Sequence, residues 1–228
     1  MLYSNQMPTK SFSITLFVIF LFSAIFHEIS HGFVAYLFGD RTAKLAGRLS
    51  LNPFKHLDPL GSVIIPVLLK LSGANFTIGY AKPVPIDPRH FFMPRFGIIC
   101  VSLAGPLSNI FLAGVFVALI SFDLFCIDRQ HMQLLLGGLA INCTLFMFNM
   151  LPVLPLDGGR IVAALLPAKI AKVVSKIEPF GIIVVMGICI LGPYLEETSG
   201  IPIDFMKRAF SPMCERLYMF LIRLAVPI

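Results

Sequence analysis

The sequence predicts an all-α polytopic membrane protein of about five to six transmembrane helices, with a small membrane-associated β layer after the first helix. Three observations carry that prediction. Apolar residues make up 57% of the 228 positions and charged residues only 13%, against about 45–50% and about 25% in soluble domains. Uncharged runs long enough to cross a bilayer recur along the chain. The basic residues fall beside those apolar runs, eight of the 18 of them in one connection, Arg41 to Phe96. A mean hydropathy of +0.87 excludes an ordinary cytoplasmic enzyme and a disordered tail protein alike. The net charge of +6 does not indicate nucleic acid, because the positive residues flank apolar runs and form no block; they read as topology signals. The five cysteines form no C-x-x-C pair and read as buried packing.

The elements follow in order. Ser11–Phe38 is an apolar run of 28 residues, too long for the core of a signal peptide and without a cleavage site, so it is the first spanning helix. Gly97–Phe122 and Met132–Leu156, with 26 and 25 residues free of charge, are the next two. Pro179–Leu195 offers 17 uncharged residues, the lower limit for a crossing. Pro212–Ile228 is interrupted by Glu215, Arg216 and Arg223 and either spans or lies at the interface. The connection from Arg41 to Phe96 carries eight basic residues against Asp58 and Asp87, which places it in the cytoplasm and the N-terminus outside. Asp123–His131 and the Lys-rich connector Pro167–Glu178 alternate consistently with that assignment. Within the basic connection, Val63–Leu71 is apolar but too short to cross, and such segments are re-entrant or interfacial. Edge strands are expected over Ala43–Leu51 and Phe76–Pro85.

The scarce ionisable residues inside the apolar runs point to chemistry. His27-Glu28-Ile29-Ser30-His31 has the spacing H-E-x-x-H. At 100° per residue the two histidines sit about 40° apart on one helix face, one turn from each other, where two imidazoles can share a metal. A charge at mid-bilayer costs about 2.5–3.5 kcal/mol, so three ionisable groups in five positions make a purely structural polar cluster the weaker reading. A catalytic zinc site usually has three protein ligands. Asp157 is the best candidate for the third: it follows an uncharged run, behind Pro152 and Pro155 and before Gly158 and Gly159. The competing reading is an Asp that caps the helix beginning at Ile161. Asp58, Asp87 and Asp128 lie in loops and Glu178 in the Lys-rich connector.

Together these residues resemble the site-2 protease family of intramembrane zinc metalloproteases. The resemblance rests on His27-Glu28-x-x-His31, on Gly105-Pro106-Leu107-Ser108-Asn109 as a G-x-x-x-N element, and on Asn149 to Gly159 as an N-x-x-P-x-x-P-L-D-G element. It covers roughly residues 11–166, with residues 167–228 adding C-terminal helices to a single domain over 1–228. It implies one Zn2+ ion held by His27, His31 and Asp157, Glu28 as general base on the metal's water, and Asn149 as a group that helps hold the substrate or the oxyanion. It further implies a multi-pass protein of the cell membrane that hydrolyses peptide bonds within or near transmembrane helices, in a site opening toward the cytoplasm. The partners are then transmembrane protein substrates and the lipid bilayer, and no nucleic acid. No helix is expected before the H-E-x-x-H helix and no PDZ or nucleotide-sensing domain, so the chain reads as a minimal core. His56 and His90 are loop histidines that could support the site. The alternative is a catalytically inactive homologue or a metal-carrying membrane protein. A carrier would place polar residues along several spanning helices, and an inactive homologue would typically lack the glutamate.

Overall fold

A computed structural model describes residues 10–56, 84–123, 128–200, 202 and 204–225. The described chain is helical, with seven α-helices: α1 Lys10–Leu37, α2 Thr42–Leu45, α3 Pro94–Asp123, α4 Arg129–Asn149, α5 Asp157–Leu165, α6 Ala168–Ser199 and α7 Ser211–Ala225. Four of these are long and apolar enough to cross a membrane: Phe12–Leu37, Pro94–Phe122, Gln130–Asn149 and Glu178–Ser199. At 1.5 Å per residue the 26-residue first span reaches about 39 Å, enough to cross a hydrocarbon core of about 30 Å with tilt. The helix containing α7 carries Lys207, Arg208, Glu215, Arg216 and Arg223 and is not among the four.

Three sequence expectations are corrected in detail. The third span stops at Asn149 rather than Leu156, because Pro152 and Pro155 supply no amide to continue the ladder. The Lys-rich connector Pro167–Glu178 is not a loop: Pro167 precedes a helix that runs 32 residues, since Ala and Lys are good helix formers whatever their polarity. No strand occurs among the described residues. Over Ala43–Leu51 the Asp40 carboxylate accepts hydrogen bonds from the Thr42 amide and hydroxyl and starts α2 in place of extended chain. Gly47, at φ +65°, then closes the turn, with the Arg48 amide donating to the Ala43 carbonyl. Of Phe76–Pro85 only Val84 and Pro85 lie within the described residues, and Val63–Leu71 lies outside them.

The helices α1, α3 and α4 form the centre. Ala113, Ile120, Leu139 and Cys143 bury one cluster between α3 and α4, covered by Leu217 and Leu221 of α7. Ala35, Phe91 and Val101 bury a second between α1 and α3. The outward faces are apolar: Ile14, Phe17 and Val18 on α1, Phe111 and Leu119 on α3, and Phe180 and Ile183 on α6 are all exposed. That is the pattern of a chain whose solvent is lipid. Polar side chains are instead drawn inside, where Ser23, His27, His31, Asn109, Asn142 and Asp157 are buried.

Candidate metal centre

α1 supplies His27 and His31 from one face, one turn apart, and their rings meet edge to face at 86° with centroids 4.6 Å apart. Asp157 is the first residue of α5, after Leu156 at the N-cap position. Its side chain turns toward α1. What allows that turn is close backbone packing: Gly158 lies against Met150 and Leu151, and a Cβ on Gly159 would stand 2.5 Å from the Leu154 nitrogen. Only glycine permits this approach. The loop between the two prolines thereby folds back on the first turn of α5 and carries the carboxylate inward.

The three atoms that converge are His27 Nε2, His31 Nε2 and Asp157 Oδ2. The two nitrogens are 3.0 Å apart, and each lies 3.2 or 3.3 Å from the carboxylate oxygen. These spacings have the form of hydrogen bonds, but the neutral rings hold no proton there. His31 Nδ1 lies 2.6 Å from the Val101 carbonyl oxygen, an obligate acceptor, so Nδ1 donates and Nε2 carries the lone pair. His27 Nδ1 lies 2.7 Å from Asn109 Oδ1 and donates likewise. Asp157 Oδ2 is buried with no hydrogen-bond partner. Three lone pairs face one another inside the protein, an arrangement that is costly unless a cation sits between them. The edges of a tetrahedron with bonds of 2.0–2.1 Å are about 3.3 Å, so the triangle has the size that Zn2+ requires. Gly105 of α3 makes room for it, since a Cβ there would stand 2.6 Å from His27 Cε1 and collide with the His31 ring. Among the described residues this is the one group of three His, Cys, Asp or Glu donors suited to a metal.

The remaining residues singled out in the sequence lie around this centre or away from it. Glu28 is half-buried beside His27, and its Oε2 accepts from the Val84 amide at 3.1 Å. Asn149 ends α4 and donates from Nδ2 to the Leu145 carbonyl at 2.9 Å. The competing carboxylates have other employment. Asp87 pairs with Arg89, Asp128 caps α4 through the His131 amide, Glu178 pairs with Arg160, and Asp58 lies outside the described residues. His56 is buried against the Ser50 carbonyl, and exposed His90 faces Asp40 and Asp87; neither joins the cluster. Asp40, Ser23 and Asn142, all buried, were not indicated by any motif. Their signal was a polar residue in or beside an apolar helix, which marks a partner without naming it.

Comparison with known proteins gives this arrangement its family. The profile described as "Peptidase family M50" matches residues 126–192, which include Asp157 but not the histidines. The "Putative zinc metalloprotease YwhC" of Bacillus subtilis is 39% identical over 194 residues, covering 79% of this chain and 83% of that protein. The chain belongs to peptidase family M50, the site-2 protease family. The "Putative zinc metalloprotease Rip2" of Mycolicibacterium smegmatis is 31% identical over 170 residues, 73% of this M50 chain and 62% of that protein. The "Zinc metalloprotease MJ0392" of Methanocaldococcus jannaschii is 27% identical over 163 residues, 72% of the chain and 38% of that protein. The M50 chain thus spans less than two thirds of the length of these last two relatives. No solved structure matches it significantly.

Proposed function

We propose that this M50 chain is a zinc-dependent intramembrane endopeptidase of the cell membrane, hydrolysing peptide bonds within or near transmembrane helices of other membrane proteins. The observation that carries the proposal is the convergence of His27 Nε2 and His31 Nε2, from a helix long and apolar enough to cross a membrane, with Asp157 Oδ2 of α5 in one buried cluster. These three residues hold one Zn2+ ion, and bound there it supplies a Lewis acid that acidifies water and polarises a peptide carbonyl. The chain's own residues do the rest. Glu28 adjoins the ligands, with one carboxylate oxygen held by the Val84 amide, and acts as general base: it takes a proton from the attacking water and delivers it to the leaving amine. Asn149 holds the substrate backbone or the developing oxyanion; its Nδ2 must then turn from the Leu145 carbonyl. A transmembrane substrate unwinds before cleavage, because a helix hides its carbonyls in i to i−4 bonds.

The test reconstitutes purified protein with a model transmembrane substrate, wild type beside Glu28→Gln. Wild type is expected to cleave and Glu28→Gln to lose activity by at least about a hundredfold, general acid–base help being worth about 10²–10⁴-fold. Both proteins should carry one zinc. Cleavage by both or by neither removes the protease assignment. Loss of zinc on substitution shows instead that Glu28 belongs to the metal's support.

A further inference from the structure

A chain of buried amides runs away from the metal centre, and no step of the proposed reaction uses it. His27 Nδ1 meets Asn109 Oδ1 at 2.7 Å. Asn109 Nδ2 donates to Asn142 Oδ1 at 3.2 Å. Asn142 Nδ2 donates both to the Gly138 carbonyl at 2.9 Å and to Ser23 Oγ at 3.1 Å. Asn109 and Asn142 are fully buried, and Ser23 is 1% exposed. The chain links α1, α3 and α4, and it begins and ends on the same face of α1, since Ser23 lies one turn before His27.

Its direction is fixed by one atom. The Gly138 carbonyl can only accept, so Asn142 must present its nitrogen there, and its oxygen then faces α3. Asn109 must answer with its own nitrogen, which turns Oδ1 toward His27. His27 must therefore donate from Nδ1 and keep its lone pair on Nε2, the atom facing Asp157. Reverse Asn142 and two oxygens collide at Gly138. Remove it, and Asn109 is free to present Nδ2 to His27, which selects the tautomer with the proton on Nε2, where it blocks a metal. His31 needs no such device, because a backbone carbonyl fixes its tautomer directly.

We propose that Asn142 is a positioning residue for the metal site: anchored by the Gly138 carbonyl, it sets the tautomer of His27 through Asn109 and so sets zinc affinity. The inference rests on the reading of His27, His31 and Asp157 as zinc ligands. Partners of ligating histidines are typically worth 10–100-fold in metal affinity or activity.

The experiment measures zinc dissociation constants of the full chain in detergent by competition with a chromophoric chelator. Asn142→Leu is expected to weaken zinc binding by about tenfold; Asn142→Ala takes its place if the leucine variant does not fold. Asn109→Asp supplies the diagnostic arm, because a carboxylate offers His27 an acceptor however it is rotated. Its gain in affinity should be at least about threefold larger in the Asn142→Leu background than in wild type, the signature of coupled residues. A role confined to packing gives no such rescue. Ser23→Ala should bind zinc within about twofold of wild type, since the Gly138 anchor remains. Unchanged affinity in Asn142→Leu, an equal gain from Asn109→Asp in both backgrounds, or a tenfold loss in Ser23→Ala each overturns the proposal. Failure of the wild type itself to bind one zinc is a different result: it removes the ligand reading, and this inference with it.

Discussion

Gly105 of α3 lies against both imidazoles of α1, where a Cβ would stand 2.6 Å from His27 Cε1 and overlap the His31 ring. The missing side chain therefore sets how closely α3 can approach the two imidazoles and bring Val101 and Asn109 to their Nδ1 atoms. Gly105→Ala is expected to destabilise the protein by about 1–3 kcal/mol, the usual cost of overpacking, and to lower bound zinc well below one per chain. Metal analysis together with thermal unfolding checks this; full zinc occupancy at wild-type stability would show that the rings can yield. At this scale the sequence was partly legible. His27 and His31 could be read because helical spacing alone puts them on one face, and Asp157 because a carboxylate after an uncharged run is conspicuous. Asn142 and Ser23 could not be assigned, because which polar groups meet depends on the register between three helices, and no local pattern encodes that. Gly105 was visible as a motif position, but its contact with the imidazoles belongs to the packed state.

The junction between α1 and α3 depends on one buried carboxylate. Asp40, wholly inaccessible to solvent, accepts from the Thr42 amide and hydroxyl and from the Asp87 amide at 2.7 Å, and so ties the end of α1 to the segment that leads into α3. Burial raises the Asp40 carboxyl, but the bonds from Thr42 and Asp87 outweigh it and hold the group below the ordinary range. The Arg89 side chain and amide hold Asp87 at about 2. Both carboxyls thus bind a proton less readily folded than unfolded. The stability they contribute is present above the unfolded value of about 4 and is lost as pH falls toward 2. Amide exchange at Thr42 and Asp87, corrected for its intrinsic rate, should accelerate between pH 4 and 2 before the α3–α4 core opens. Simultaneous acceleration at Leu139 would contradict a local origin. Element boundaries were legible where apolar run and helix coincide, as in α1 and α3. They were misread where helix outlasts hydropathy, at the Lys-rich start of α6, and where prolines end a helix inside an apolar run, at Asn149. The turn over 42–48 escaped reading because its decisive bonds come from Asp40, whose role shows only once it is buried.

The charge distribution and the position of the cluster bear on one question, which side of the membrane the centre faces. His31 lies six residues before Leu37, the last residue of α1, or about 9 Å along the axis from that end. Arg41, Lys44, Arg48 and Lys55 follow with no acidic residue between them, and Arg41, Lys44 and Lys55 are exposed. The start of α3 lies beside them: the Phe92 amide donates to the Phe38 carbonyl, and Phe38 packs on Phe91, Phe92 and Phe96. The far end of α3 and the start of α4 carry Asp123 and Asp128 against Arg129. Positive residues near span ends are retained in the cytoplasm, so we propose that the basic end is cytoplasmic and that the His27, His31 and Asp157 cluster lies in the inner half of the bilayer, with a short route for water. In a cysteine-free background, a cysteine at exposed Leu45 should resist a membrane-impermeant maleimide in intact cells and react after permeabilisation. A cysteine at exposed Gln130 should behave in the opposite way. Labelling of Leu45→Cys in intact cells would invert the chain and place the centre in the outer half, where the same histidines and aspartate would have to draw their water from outside.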